Sequence, residues 1–595
     1  MSAGKDLSRR GVLGLVAVGA LAGCGLDTDS TVSPGLPVEL PPGEPLLRTP
    51  TGPQAGATPD EIIRGFIHAG ATSGEGLEVT RSFLTEACAR AWIPDTQTVI
   101  YTGTPTIAIL DEAERSYRVS ARVTARIDAD GRYHVAPPYD GARFDVHLDK
   151  VGGEWRIDGL QNGFGRLLEE PEVGYIFGNE PYAVHYPAIG WNTLVADPRW
   201  FPQDQLATRL VRAQLGGIPE HLEDAVSSDT GAKLAVDAVP VRSGVAQVDL
   251  DEDSVSSDAT VRKQLAAQLV ATLVARREIS EVVITLSGNA MDVGVDEPLT
   301  TPEQFGFADR IQTSSPTVLA RRGTKLVSAG RDRLASMTTR DMWRSTSKFE
   351  PIPESSRRLG LRPDGKEIAA VDRERRELAR YRDDGSVITA SPFAASMTRP
   401  CYDYGGVLWI GGAGLGREAG HRLWAINATV DPEDLTEAAP KAVPCPWLDD
   451  RYVVAAVVSP EGSRIAVISE EERGTGSTLE VSGVVRRANG LPTKTSPHAF
   501  RIGADLVEMV DAVWVGEARL AVLGRRDKET QIQPYLVDVG GPVGAMTTRP
   551  GMSMVMTTGD HEDVVLTSPG GRVFQRAGAR WQELKALTGV VTAGR

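Results

Sequence analysis

The sequence predicts a multidomain protein in which two α+β domains precede an all-β propeller. Three observations carry this: an apolar N-terminal segment ending at Cys24, helix-then-strand patterning through residue 288, and a turn-and-strand motif that recurs after residue 317. With 595 residues, 41% of them apolar and 24% charged, the chain is globular and long enough for several cores.

Lys5, Arg9 and Arg10 precede an apolar run from Gly11 to Ala20, which Leu21-Ala22-Gly23-Cys24 closes in the form of a lipobox. The stretch from Gly11 to Gly23 is too short to span a hydrocarbon layer of ~30 Å at ~1.5 Å per residue, so residues 1–23 are expected to be a cleaved signal peptide. Cleavage leaves Cys24 as the expected lipidation site, carrying acyl chains such as palmitate that anchor the protein to the outer leaflet. Ser8-Arg9-Arg10-Gly11-Val12-Leu13 also resembles a twin-arginine signal with Val12 in place of an aromatic, so either export route is compatible. Residues 24–59 hold eight prolines among Gly, Ser and Thr and are expected to be an extended tether, reaching up to ~100 Å at ~3.1 Å per residue.

The first folded domain is expected over residues 60–170. Thr58-Pro59-Asp60-Glu61 reads as a helix start ahead of Ile62, Ile63, Phe66 and Ile67, and a second helix is expected from Glu78 to Trp92. Strands follow at Thr98–Tyr101, Ile107–Leu110, Ser116–Ile127, Phe144–Lys150 and Glu154–Ile157, which suggests helices on a curved sheet of NTF2-like or cystatin-like form. Residues 180–288 form the second α+β domain. Its strands are expected at Tyr182–Tyr186, Asn192–Asp197, Lys233–Val241, Val245–Asp249 and Val282–Ser287, with helices from Pro202 to Leu215 and Ala259 to Arg276. A linker is expected at 289–316.

Residues 317–595 are nearly all short strands and turns. Leu361-Arg362-Pro363-Asp364-Gly365-Lys366-Glu367-Ile368-Ala369-Ala370-Val371 aligns with Val458-Ser459-Pro460-Glu461-Gly462-Ser463-Arg464-Ile465-Ala466-Val467-Ile468, and related forms occur near Tyr404, Gly516 and Ser568. A period of roughly 40–55 residues fits a propeller of five or six blades.

Formal charge is −15, and about −17 once residues 1–23 are removed, which disfavours nucleic acid and anionic lipid as partners. No CxxC, HExxH or GxSxG occurs and no His lies three to five residues from another, so no metal, cofactor or catalytic residue is assigned. Gly414-Leu415-Gly416-Arg417-Glu418-Ala419 precedes a strand-like Leu423–Ile426 rather than a helix, so a dinucleotide site is not expected. Asp249, Asp251 and Asp253 imitate a calcium loop without its Gly or its terminal Glu. Cys88, Cys401 and Cys445 are expected to be buried thiols, although Cys401 and Cys445 could pair. Trp409, Trp424, Trp447, Trp514 and Trp581 are expected to pack between blades. A wall-active propeller would place acids in blade-start loops, where only Asp364, Asp403 and Glu461 stand.

The lipobox, the stretches Asp60–Ala69, Arg81–Thr85 and Ala91–Pro94, and the propeller repeats together resemble the LpqB family of lipoproteins across nearly the whole chain. Residues 182–288 resemble a GerMN domain, through Leu210–Leu215, Val245–Leu250, Leu265–Leu273 and Val282–Gly288. The resemblance implies a non-enzymatic accessory lipoprotein that touches the extracytoplasmic domain of the sensor histidine kinase in an MtrA–MtrB two-component system, affecting envelope growth and division. A cell-wall glycan or peptidoglycan ligand bound or processed at the propeller face is the competing expectation.

Overall fold

Thr58 starts the first helix by a reciprocal cap: its hydroxyl accepts from the Glu61 amide, and the Glu61 carboxylate accepts from the Thr58 amide at 2.7 Å. The computed structural model describes residues 50–593, apart from 73, 75, 114, 230, 309–316, 345, 346, 435 and 449, so the expected signal peptide, Cys24 and the tether up to residue 49 lie outside the described residues. Helix α1 (Pro59–Ala69) buries Ile62, Ile63, Phe66 and Ala69 against a curved sheet. That sheet runs β5 (Glu154–Leu160), β4 (Gly141–Val151), β2 (Ser116–Asp128), β1 (Gln97–Asp111), β6 (Arg166–Glu169), with β3 (Tyr133–Val135) on β2.

Two sequence expectations change here. The single helix from Glu78 to Trp92 is two, α2 (Gly76–Arg81) and α3 (Glu86–Ala91), because the intervening backbone pairs with β5 through Thr85 N to Ile157 O and Ile157 N to Phe83 O. Strands Thr98–Tyr101 and Ile107–Leu110 are one strand, β1, since Gly103 at φ 78° sits in a bulge rather than a reversal. A short helix α4 (Val173–Phe177) leads out of this domain.

In the second domain a hairpin of β7 (Tyr182–Pro187) and β8 (Leu194–Arg199) is followed by helix α5 (Leu206–Leu215). A four-stranded sheet is ordered β12 (Asn289–Ala290), β11 (Glu281–Leu286), β10 (Val245–Leu250), β9 (Val241–Arg242). Helix α6 (Ala259–Val274), capped by Asp258, crosses between the parallel strands β10 and β11. Every residue from Leu265 to Leu273 is buried, so α6 is a central helix rather than an amphipathic surface one. The expected strand Lys233–Val241 shrinks to a bridge at Leu234 and to β9, because this segment lies beyond the short edge strand. The expected linker at 289–316 also changes: Met291, Val293, Leu299 and Phe305 join the domain core, because this stretch covers apolar positions that the sheet leaves open.

The remainder closes into six blades, the upper of the two expected numbers. The first holds β13 (Thr317–Arg322), β14 (Lys325–Gly330) and the last strand of the chain, Gly589–Val591, which pairs antiparallel with β13 and closes the ring. The others span 358–389, 401–442, 452–502, 506–545 and 554–583, each an antiparallel meander of at least four strands. The aligned repeats are the same turn in the second and fourth blades. Arg362 N bonds Glu367 O and Gly365 N bonds Arg362 O, as Ser459 N bonds Arg464 O and Gly462 N bonds Ser459 O. Gly365 (φ 74°) and Gly462 (φ 76°) occupy the left-handed position that the turn demands.

Candidate functional site

The Pro-acidic-Gly turns all emerge at one end of the ring, and the second domain docks on that end. Trp191 seats its ring against Gly405, where an added Cβ would fall 2.2 Å from the indole, and lies 5.1 Å from the Arg486 guanidinium. Arg464 Nη1 donates to Ala196 O at 3.0 Å, Lys494 pairs with Asp224 at 2.8 Å, and Ser496 Oγ donates to Glu223 O at 2.6 Å.

The first domain is fastened to both others. Asp95 receives Arg166 of β6 and Arg209 of α5, each at 2.7 Å. Trp200 donates its backbone N–H to Gly131 O (2.7 Å) and its indole N–H to Gly540 O (2.8 Å), so one residue bonds the first domain and the ring. Tyr139 Oη donates to Asp527, and Phe500 of the ring packs between His134 and His221. These contacts join three modules into one body.

The three acids that could serve a wall-active ring are committed to structure. Asp364 is held in a fork by Arg362 at 2.8 Å. Asp403 is completely buried, accepting from Arg486 (2.7 Å), Val407 N (2.9 Å) and Trp409 Nε1 (3.1 Å). Glu461 pairs with Arg464 at 2.7 Å and accepts from Ser459 Oγ at 2.6 Å. Asp249 accepts from Thr285 Oγ1 and Gly288 N, and Asp251 caps the Asp253 amide, so the calcium-like triplet is loop scaffolding. Gly416–Glu418 is a single 3-10 turn leading into the strand Leu423–Asn427. Among the described residues no group of three or more His, Cys, Asp or Glu is arranged to hold a metal ion.

Cys88, Cys401 and Cys445 are free thiols, and burial raises the first two to about 11 and the third to about 12. Trp409, Trp424 and Trp514 are fully buried in the ring; Trp447 and Trp581 are half-buried, with their indole N–H groups bonded to Thr495 Oγ1 and Thr547 O.

A cleft of about 1050 Å³ separates the hairpin and α6 from the turns of the fourth to sixth blades. Three buried polar atoms on its lining residues, Glu461 Oε2, Thr193 Oγ1 and Arg276 Nη1, have no hydrogen-bond partner among the described residues. His185 also lines it. Its Nδ1 meets Thr272 Oγ1, which already donates to Gln214 Oε1, so Nδ1 must be the donor and Nε2 is left as an acceptor. Burial, reinforced by Arg464, pushes the His185 pKa down to about 4 and keeps the ring neutral. The cleft can therefore accept and donate hydrogen bonds to a polar group, while the Thr272 hydroxyl beside His185 accepts from the imidazole and is not activated by it.

Sequence reasoning missed Trp191 and Trp200. Their only local signal is a Trp in the turn of the hairpin and another directly after its second strand, which is indistinguishable from a core aromatic.

Comparison with known proteins agrees with this division. Residues 52–173 match the family model for the N-terminal domain of lipoprotein LpqB, 186–292 match a sporulation and spore germination domain model named Germane, and 345–592 match the LpqB β-propeller domain. Lipoprotein LpqB of Thermobifida fusca is 27% identical, with 89% of this chain and 90% of that protein covered. For LpqB of Streptomyces coelicolor the figures are 27%, 93% and 94%. Among solved structures, TolB from Acinetobacter baumannii aligns at 12% identity over 59% of this chain and 94% of that one, with a TM-score of 0.30. Among the described residues no helix is long and apolar enough to cross a membrane.

Proposed function

The chain belongs to the LpqB lipoprotein family, and from that premise we propose that it is an accessory protein, lipid-anchored through Cys24 on the extracytoplasmic face of the membrane, that binds the ectodomain of an MtrB-like sensor histidine kinase and modulates signalling in envelope growth and division. The observation that carries this reading is the fastening of three modules into one body whose ring-face acids serve as internal braces. Such a body presents surfaces. Held at the same membrane as its partner by a Pro-rich tether, it meets that partner at high effective concentration, so modest affinity suffices.

Calorimetric titration of the full chain in detergent against the kinase ectodomain tests the reading. Micromolar binding is expected; no heat, together with no crosslink when both proteins share a membrane, overturns it. Cys24→Ala is expected to move the chain from the membrane to the soluble fraction.

The three unpartnered polar atoms of the cleft favour a second reading, in which a polar wall fragment seats between hairpin and ring. Soaking with peptidoglycan fragments tests it, and an empty cleft at millimolar fragment counts against it.

A further inference from the structure

At the end of the ring opposite the docked turns, four guanidiniums from three blades come together. Arg358 opens the inner strand of the second blade, and Arg375 lies in the turn between the next two strands of that blade. Arg399 precedes the inner strand of the third blade, and Arg473 follows the second strand of the fourth. Residues 396–399 are the hub. Arg375 donates to Met397 O and Ser396 O, both at 2.6 Å, and Arg473 donates to Ser396 Oγ while lying 5.1 Å from the Tyr452 ring. Arg399 reaches into the ring, where its Nη2 meets Asp511 Oδ1 (3.1 Å), Ala512 O (3.0 Å) and Val555 O (3.1 Å).

Of these four guanidiniums only that of Arg399 is ion-paired to a described residue. Arg375 and Arg473 bond neutral oxygens, and the Arg358 guanidinium, although half-buried, makes no hydrogen bond or ion pair to a described residue. The Arg399 Nε is buried without a partner. Burial lowers the Arg375 pKa to about 10, and the two charges acting on it, Arg358 and Arg473, are both positive and push the same way. Asp511 and Asp372 are the carboxylates within electrostatic reach of Arg358; Asp511 is bound by Arg399, and Asp372 accepts three backbone amides. Glu374 and Glu377 flank Arg375 in sequence, as Glu470, Glu471 and Glu472 flank Arg473, yet among the described residues the Arg399–Asp511 contact is the ion pair that the four guanidiniums make. Arg375 (φ 59°) and Ser396 (φ 56°), which share a hydrogen bond here, both hold left-handed conformations.

We propose that this mouth of the propeller channel binds a phosphoryl group. Guanidinium forks bond oxyanions through paired N–H donors, and a tetrahedral group offers oxygens to donors arriving from three blades, where a planar carboxylate faces one fork. Its charge of about −1.5 to −2 suits a group of guanidiniums of which Arg399 alone is ion-paired among the described residues. The inference is independent of the kinase reading.

The test is titration of the full chain in detergent, at low salt, with inorganic phosphate, a glycerol phosphate oligomer and succinate, repeated for Arg358→Gln and Arg473→Gln. The Arg358 guanidinium bonds no described residue and Arg473 is exposed, so both variants should fold; a thermal melt checks this. Phosphate should bind saturably, at least tenfold more weakly in either variant, and more tightly than succinate, while Arg90→Gln on the exposed side of α3 changes nothing. Tighter binding of the oligomer supports the proposal and identifies a phosphodiester polymer as the source; equal binding supports it with free phosphate as the source. No saturation below about 10 mM, tighter binding of succinate, or variants that bind like the parent would overturn it.

Discussion

The two ends of the ring treat charge in opposite ways. At the docked end Asp403 and Arg486 are both completely buried and bound to each other, and Glu461 binds Arg464, which in turn holds Ala196 of the second domain. At the open end Arg358, Arg375 and Arg473 make no ion pair among the described residues. A buried ion pair is a brace whose loss is costly, whereas an uncompensated cluster is a capacity to bind. The contrast predicts that equally drastic charge changes should have very different consequences at the two ends.

The largest effect should come from Asp403→Ala, which strands Arg486 without its partner and should lower stability by about 3–5 kcal/mol in chemical denaturation. A loss below about 1 kcal/mol would remove the distinction between the ends. Acid should act next, and at the docked side. Burial pushes the His221 imidazole from 6.5 down to about 4, despite the nearby Asp197 carboxylate. The folded state thus binds fewer protons than the unfolded one in that window. Its contribution is complete above pH 6.5 and should fall by about 3 kcal/mol as pH drops to 4, a loss that His221→Phe should flatten.

Gly405→Ala drives a methyl into the Trp191 ring and should cost about 1–3 kcal/mol, read as a lower melting temperature and as exposure of Trp191 to a quencher. Arg358→Gln should change stability by no more than about 0.5 kcal/mol, because it breaks no bond; a larger loss would mean that the open end is braced as well. The smallest response is expected from the thiols. Cys401 and Cys445 should resist alkylation at pH 8 in the folded chain, since burial holds them protonated.

Much of this architecture was legible beforehand where burial has a short period. The stripe Leu265, Leu269, Leu273 marked α6, and the Val248/Leu250 alternation marked β10. The repeated Pro-acidic-Gly turn marked two blades because Gly365 and Gly462 must take positive φ. The helix drawn from Glu78 to Trp92 failed because its midpoint pairs with the distant strand at Ile157, which no local pattern reports. The supposed linker failed for a similar reason: Leu299 and Phe305 look isolated in sequence and are core only against α6 and its sheet.

The sequence by itself determined the modules, the turns and most of the elements, because backbone preference and side-chain periodicity act over a few residues. Whether a charge is a brace or a binding group was decided only by tertiary structure. Asp364, Asp403 and Glu461 read alike as turn acids, and nothing local distinguishes Arg358 from Arg486. What separates them is a partner 83 residues away in the case of Asp403 and Arg486, and the lack of one among the described residues for Arg358. Charge pairing acts through space at a few ångströms, so it becomes fixed only when distant strands are brought side by side.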